Sequence, residues 1–309
     1  MRTPNRSQAR ARIFYGCIAL LLARPAVCAV GDLEGVTAVA SKVSRDYIRA
    51  RLPDGSFQPE YYSFGEGGNW GGEIKDLTID KLNFLDVAHV IAVPLAGRKY
   101  LPAKDPRTTK LLIMVYWGTT AVPESSDNSV AYSNYNNAEA ALKRAMNPHD
   151  PEPIMAQNAV IAEWSVAMTI VNIENQQRTR TDWKNAAMLG YDSEGVIGTD
   201  YGNHIRGSAL SGHRDELVAE IEENRYFVVL MAYDFQLMWK QKTHKLLWQT
   251  RFSIDERRNA FDKALPVMAQ YASKYFGQDS HGLLRERVPE GHVDIGDLKS
   301  LGEVDEPKR

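Results

Sequence analysis

Seven side chains of the kinds that catalysis uses are crowded into one short stretch of the sequence. They are Asp200, His204, Ser208, Ser211, His213, Asp215 and Glu216. Histidine and aspartate together can hold a divalent metal or act as an acid–base pair near neutral pH. The spacing fits no H-E-x-x-H signature, and a Ser-His-Asp triad normally converges from separate elements. Asp200, His204 and His213 are therefore candidate catalytic residues, with His204 and His213 as candidate metal ligands. The alternative is a solvated loop in which Ser211 caps the next helix.

A second candidate pair is Asp234 with Arg251. The sequence predicts strands over Tyr226–Trp239 and Leu246–Ile254, joined by a polar turn. If Trp239 pairs with Leu246, Asp234 lies opposite Arg251 on the polar face of an antiparallel hairpin. A carboxylate held by an arginine could orient a substrate in a cleft. The alternative is a structural cross-strand pair that contributes up to about 1 kcal/mol.

The glycine-rich segment from Gly65 to Gly72 is predicted to be a loop between a strand and a helix, where phosphates often bind. Trp70 stands where the third glycine of G-x-G-x-x-G belongs, and the Gly-Lys-Ser/Thr end of a P-loop is missing. Glu66 would also repel an anion. No cofactor is assigned from this segment.

The elements that must position these residues indicate an α/β (α+β) fold. Valines and alanines at helical spacing predict a helix over Val36–Tyr47. A second stripe, from Leu82 to Leu95, predicts a helix that Thr78 caps and that runs to about Tyr100. The continuously apolar run Leu111–Trp117 is typical of a central strand buried on both faces. A last helix is expected over Phe261–Tyr275. We therefore predict a mixed sheet with a C-terminal antiparallel hairpin, packed by helices.

The chain is expected to form one domain over residues 30–277, followed by a polar tail over 278–309. A mostly helical insertion is expected at about 118–212, because apolar residues from Ile154 to Val171 recur at helical spacing and the pattern continues to Met188.

Residues 1–29 have the composition of a secretory signal peptide. Five arginines and no acid accompany a short apolar run, Ile13–Ala23, which spans about half of a bilayer core of roughly 30 Å. Cleavage is expected after Ala29, which predicts a periplasmic or secreted protein. Both cysteines, Cys17 and Cys28, would be removed with the signal. Lipidation of Cys28 is the alternative, although Val27 and Pro25 depart from a lipobox.

Composition limits the classes of partner that we expect for this protein. The net charge is −2 and the acidic residues lie after the basic leader, which disfavours binding of nucleic acid. After signal cleavage no second long apolar run is evident, so we do not expect an integral membrane protein. An envelope protein or polymer is the expected partner, and the sequence assigns no oligomeric state.

The run Val229–Phe235 followed by Leu246–Arg251 resembles exported bacterial proteins of unassigned activity. It is more loosely similar to envelope lipoprotein domains whose late hairpin carries a "D…LW" pattern, with a small α/β sheet distantly like that of curli-secretion and penicillin-binding-protein activator lipoproteins. The resemblance implies an envelope location and an α/β fold, and it carries over no catalytic residue. The sequence departs from it by lacking a lipobox and by its long insertion.

Together these observations favour an exported envelope protein with a non-catalytic binding role. The first alternative is a periplasmic hydrolase, with or without a divalent metal, whose site lies in residues 200–215. A small-molecule binding protein with an apolar pocket near Trp70 is the second alternative.

Overall fold

The protein is described by a computed structural model over residues 36–70, 76–122, 128–191, 216–257 and 259–287. Within these ranges seven strands form one mixed sheet. They are β1 (Val36–Val43), β2 (Glu60–Trp70), β3 (Tyr100–Pro102), β4 (Leu111–Thr119), β5 (Arg225–Asp234), β6 (Leu246–Asp255) and β7 (Leu283–Arg287). The order across the sheet is β3-β2-β4-β5-β6-β1-β7. Strand β2 runs parallel to β3 and β4, and the remaining neighbours are antiparallel.

Helices pack on both faces of this sheet. They are α1 (Leu77–Asp80), α2 (Phe84–Gly97), α3 (Val130–Ala145), α4 (Ile154–Leu189), α5 (Phe235–Gln241) and α6 (Phe261–Ala272), and residues 216–221 are also helical. The predicted α/β class, with a mixed sheet and an antiparallel pair β5–β6 packed by helices, is confirmed.

The main core lies between the sheet and helices α2 and α6. Alternate residues of β4, Leu111, Ile113, Val115 and Trp117, all point to this side and are at most 2% exposed. The helices contribute apolar residues at helical spacing, among them Ile91, Leu95, Phe261, Leu265 and Met268. The period of two in the strand and about 3.6 in the helices brings the two apolar surfaces together.

A smaller core on the opposite face attaches the helical insertion to the sheet. Ala186 and Leu189, at the end of α4, pack with Ile221 against Phe227 and Val229 of β5. Within the predicted insertion at about 118–212, the described residues are largely helical, and the second helix ends on the sheet.

The helix predicted over Val36–Tyr47 is wrong, because Val36–Val43 forms strand β1 between β6 and β7. Ala38, Val39 and Ala40 are all at most 6% exposed, so both faces of this strand are buried. A strand buried on both faces shows no alternation of apolar and polar residues. Its valines therefore matched helical spacing without forming a helix.

The loop predicted over Gly65–Gly72 is wrong at residues 65–70, which belong to β2, and residues 71 and 72 lie outside the described ranges. A Cβ at Gly65 would collide with the sulfur of Met114, and one at Gly67 would collide with the ring of Tyr116. These glycines are therefore explained by close packing under two large side chains of β4.

The sheet continues beyond Gly277 into the stretch that we expect to be a polar tail. Leu283–Arg287 forms β7 and pairs antiparallel with β1. At Gly277 the chain leaves the last helical turn with φ at 67°, a conformation that glycine adopts without strain.

Candidate functional site: the helical hairpin of α3 and α4

The first group of sequence candidates lies outside the described residues. Asp200, His204 and His213 fall in residues 192–215, so the proposed acid–base or metal site there stays a prediction. Within the described ranges no group of three or more histidine, cysteine, aspartate or glutamate side chains is arranged to hold a metal ion.

The predicted pairing of Asp234 with Arg251 is wrong. Strand β5 ends at Asp234 and the chain turns into α5, so a register counted back from Trp239 does not apply. Asp234 lies opposite Leu111, and its carboxylate accepts a hydrogen bond of 2.9 Å from the Leu237 amide as the N-cap of α5. Arg251 instead lies between β5 and β1, opposite Val229, where burial lowers its pKa.

A polar cleft of about 500 Å³ opens where β5 begins and β6 ends, lined in part by Asp76, Thr78, Tyr226 and Glu256. The Tyr226 hydroxyl donates to Oδ2 of Asp76, and the Thr78 amide donates to Oδ1 at 2.7 Å. The Thr78 hydroxyl in turn accepts from the Phe261 amide at 3.1 Å. These bonds cap α1 and join it to α6, so Asp76 has a structural role.

The two carboxyl groups of this cleft have pKa values shifted in opposite directions. Burial acts to raise the pKa of Asp76, but hydrogen bonds from Tyr226 and Thr78 outweigh it and the pKa lies below its usual value. Burial, followed by repulsion from Asp76 and Asp255, raises the pKa of Glu256. Glu256 therefore retains its proton to higher pH than an ordinary glutamate.

The hairpin of α3 and α4 is the larger candidate surface. Its attachment to the body is built from polar contacts at the end of α4. The Asn185 amide donates to the carbonyl oxygens of Ala121 and Ile221 at 2.7 and 3.0 Å. Arg178 forms an ion pair with Glu222 at 3.3 Å. Since Asn185 is fully buried, this end of α4 is held in one position.

The two helices are joined to each other near the start of α3. The Ser129 hydroxyl, which caps α3, donates to Glu174 at 2.7 Å, and the Tyr132 hydroxyl donates to Asn175 at 2.6 Å. Further along, Tyr135 packs near Trp164 with ring centroids 6.5 Å apart. One face of α4 is therefore occupied by α3.

A different face of α4 is apolar and exposed. We call it the α4 stripe, and it consists of Met155, Ala159, Ala162, Val166, Ile170 and Ile173. Successive members are three or four residues apart, so they share one side of the helix over about 27 Å. Met155 is 86% exposed and Val166 is 60% exposed. Between Ile154 and Ile173 the one charged residue is Glu163.

A groove of about 570 Å³ runs beside the stripe, between the two helices. It is lined by small and apolar residues, by amides such as that of Asn137, and by the carboxylate of Glu163. The groove and the stripe share Ala162, Val166 and Ile170, so they form one continuous surface.

By length and composition α4 also passes the test for a membrane-crossing helix. An 18-residue stretch of it has a mean hydropathy of 1.3, and 11% of that stretch is buried. One such helix is a weak indication of a membrane. The mean hydropathy is high because α4 is apolar on two sides, toward α3 and toward solvent.

The α4 stripe is not among the residues predicted from the sequence, although its signal is present. The predicted helix rests on Ile161, Trp164, Met168 and Val171, a row in which Trp164 packs against Tyr135 of α3 and Val171 is buried. The intervening apolar residues belong to a second row. A helix with two apolar rows must contact something on both sides or leave one row in water.

Comparison with known proteins adds little to this geometry. No protein-family model and no curated protein matches the sequence. Among solved structures, the crystal structure of a PDZ domain protein from Parabacteroides distasonis ATCC 8503 is similar with a TM-score of 0.34 and 11% identity. The similarity covers 82% of this chain and 39% of that one, so this chain spans about two fifths of its length. At this TM-score no property of that protein extends to the present chain.

Proposed function

We propose that this protein is an exported envelope protein with a non-catalytic binding role, and that it binds a partner protein through the α4 stripe. The observation that carries the proposal is the exposure of large apolar side chains in one continuous row, with Met155 at 86% and Ile173 at 52%. Burying such a row gains roughly 25 cal/mol for each Å² of apolar surface removed from water. Contiguous exposed apolar surface of this kind is typical of interaction sites.

The chemistry of the stripe favours a protein over a polar polymer. A polysaccharide or a nucleic acid is bound mainly through hydrogen bonds and charges, and the stripe offers methyl, thioether and branched aliphatic groups. Amphipathic helices of a partner bind such rows through side chains spaced by three or four residues. A partner protein with an apolar helix face would therefore fit this surface.

The attachment of α4 to the sheet supports the same function. Because Asn185, Ala186 and Leu189 are buried against the body, the exposed part of the helix is presented from a fixed base. A surface that is ordered before binding loses less conformational entropy when the partner binds.

The proposal is tested by site-specific photo-cross-linking in the producing cells. A benzophenone amino acid at Val166 should give a discrete cross-linked adduct, because this position lies in the middle of the stripe. The same probe at Asn172, which is exposed on another side of α4, is the matched control and should give at least about tenfold less adduct. Equal yields at the two positions, or no adduct at Val166, would contradict the proposal.

A further inference from the structure

The side chains of the α4 stripe are complementary in size to those of a second stripe that runs in the opposite direction. When the stripe is paired with an antiparallel copy of itself about a midpoint near Trp164, large residues meet large ones at the ends and alanines meet branched residues elsewhere. The opposed pairs are Met155 with Ile173, Ala159 with Ile170, and Ala162 with Val166. Alanine opposite valine or isoleucine fills the space between two helices without overlap, as helix packing requires.

We infer that the partner of the α4 stripe is a second copy of this chain, bound antiparallel through the stripe so that the two α4 helices cross at the level of Trp164 along the helix. The inference rests on the proposed binding function and names its partner. A two-fold axis at this point makes every contact occur twice, as in the isologous interfaces that most homodimers use. The groove beside the stripe widens the contact, because Val166 and Ile170 belong to both.

The polar residues around the stripe favour a second copy over a lipid bilayer. Asn158, Ser165 and Thr169 flank the stripe and are exposed, and the carboxylate of Glu163 lies at its edge. At the rim of a protein interface these groups remain in contact with water. In a hydrocarbon core they would lose that contact at considerable cost.

Helix α3 of the same chain gives a second reason to favour a second copy over a bilayer. It places Asn134, Asn136, Asn137, Lys143 and Arg144 at the surface of the same hairpin. Insertion of α4 into a bilayer would carry α3 with it, or would break the hydrogen bonds of Ser129 and Tyr132 to α4. A dimer leaves α3 solvated and those bonds intact.

Sedimentation of the purified protein at micromolar concentration tests the association. We expect a mass of twice the monomer. Val166→Lys should weaken the association by roughly 30-fold or more, since it places two charges in the centre of the interface. Asn172→Lys adds the same charge to the same helix outside the stripe and should leave the dimer unchanged. Circular dichroism should show the same helix content for both variants, because both positions are exposed in the single chain.

Cysteine cross-linking tests the antiparallel arrangement. In a chain that carries Cys17→Ser and Cys28→Ser, no other thiol is present. Chains with Met155→Cys and chains with Ile173→Cys should form disulfide-linked dimers under mild oxidation when the two are mixed. Each variant alone should not, because its two copies of the introduced thiol are about 27 Å apart along the helix in the antiparallel pair.

The outcomes separate this inference from the proposed function. Cross-linking of Met155→Cys with itself, or a monomer at all concentrations, overturns the antiparallel dimer. A monomer whose Val166 still cross-links to a different protein in cells overturns the dimer alone and leaves the binding function standing. A monomer that binds phosphatidylcholine vesicles through Val166 also overturns it. Loss of every Val166-dependent association overturns both.

Discussion

Arg49 is a charged side chain enclosed by the body of the protein, 7% exposed. Its guanidinium carbon lies 4.0 Å from the centre of the Tyr100 ring and 4.1 Å from that of Phe57. It forms an ion pair with Glu60 at 3.9 Å, and Glu60 accepts a hydrogen bond of 2.5 Å from the Tyr47 hydroxyl. The network joins the chain after β1 to the start of β2, and it depends on one carboxylate.

Replacing that carboxylate should destabilise the fold. Glu60→Gln is expected to lower the free energy of unfolding by about 3 kcal/mol, because it leaves the guanidinium buried without its opposite charge. Urea denaturation at neutral pH measures the change. Glu66→Gln removes an exposed carboxylate of the same strand and should change stability by less than about 0.5 kcal/mol.

A double variant tests whether the unpaired guanidinium causes the destabilisation. Arg49→Met combined with Glu60→Gln removes both charges and should recover part of the lost stability, since no unpaired charge then remains buried. If the double variant is less stable than Glu60→Gln alone, the destabilisation does not come from the unpaired guanidinium.

Little of the candidate site could be predicted at this scale. Reactive residue types drew attention to His204 and Arg251, whereas the α4 stripe consists of residues that usually belong to a core. Whether Val166 is buried or exposed depends on what packs against α4, and the chain does not encode this locally. The Arg49 network likewise joins residues whose proximity arises only in the folded sheet.

Elements with one regular pattern were predicted and elements that depend on long-range pairing were not. The apolar run of β4 and the periodic stripes of α2, α4 and α6 predict these elements correctly, and the structure confirms them. Strand β1 pairs with β6 and β7, which follow it by some 200 residues or more, so nothing local distinguished it from a helix. The predicted strand runs past the observed end of β5, because Asp234 has the character of a polar strand residue and instead caps a helix.

The end of α4 offers a test at the scale of an element. Gly190 follows the helix with φ at 84°, and a Cβ there would come within 2.6 Å of the Ala40 side chain and 3.1 Å of the Arg251 Cδ. Gly190→Ala should lower the free energy of unfolding by about 2 kcal/mol, through left-handed strain and contact with β1.

Gly97 provides the matched comparison. It ends α2, its φ is not positive, and a Cβ there would meet no atom within 4 Å. Gly97→Ala should be neutral or stabilise the protein by a few tenths of a kcal/mol. Thermal unfolding of both variants compares their stabilities. Equal melting temperatures would contradict the close packing of the end of α4 against the sheet.

At the scale of the whole molecule, a sheet with a buried core carries a hairpin whose outer surface is not buried. The predicted fold class was correct because the alternation of strand and helix patterns constrains the layers more strongly than any single boundary does. The division into a buried body and an exposed hairpin is evident only from the packing, since Ala186 and Met155 belong to one helix and differ in burial by almost the full range.

The proposed location outside the cytosol depends on residues 1–29 being a signal peptide. We expect the mature protein to begin at Val30, because the basic segment, the run Ile13–Ala23 and the small residue Ala29 have the pattern of a signal peptide. The apolar run is too short to span a bilayer. Intact-mass measurement should show the loss of residues 1–29, and thiol titration of the denatured protein should find no cysteine.

Ala29→Arg should block cleavage and leave both thiols of Cys17 and Cys28 on the chain, because signal peptidase needs a small residue at that position. Two results would contradict the prediction that residues 1–29 are a cleaved signal peptide. Full-length protein that retains Met1 in the cytosol would remove the envelope from the proposed function, whereas a mature chain beginning with a lipid-bearing Cys28 would make the protein membrane-anchored. In the second case both copies of an α4 dimer would be held at one membrane surface, which would raise their local concentration and strengthen the association.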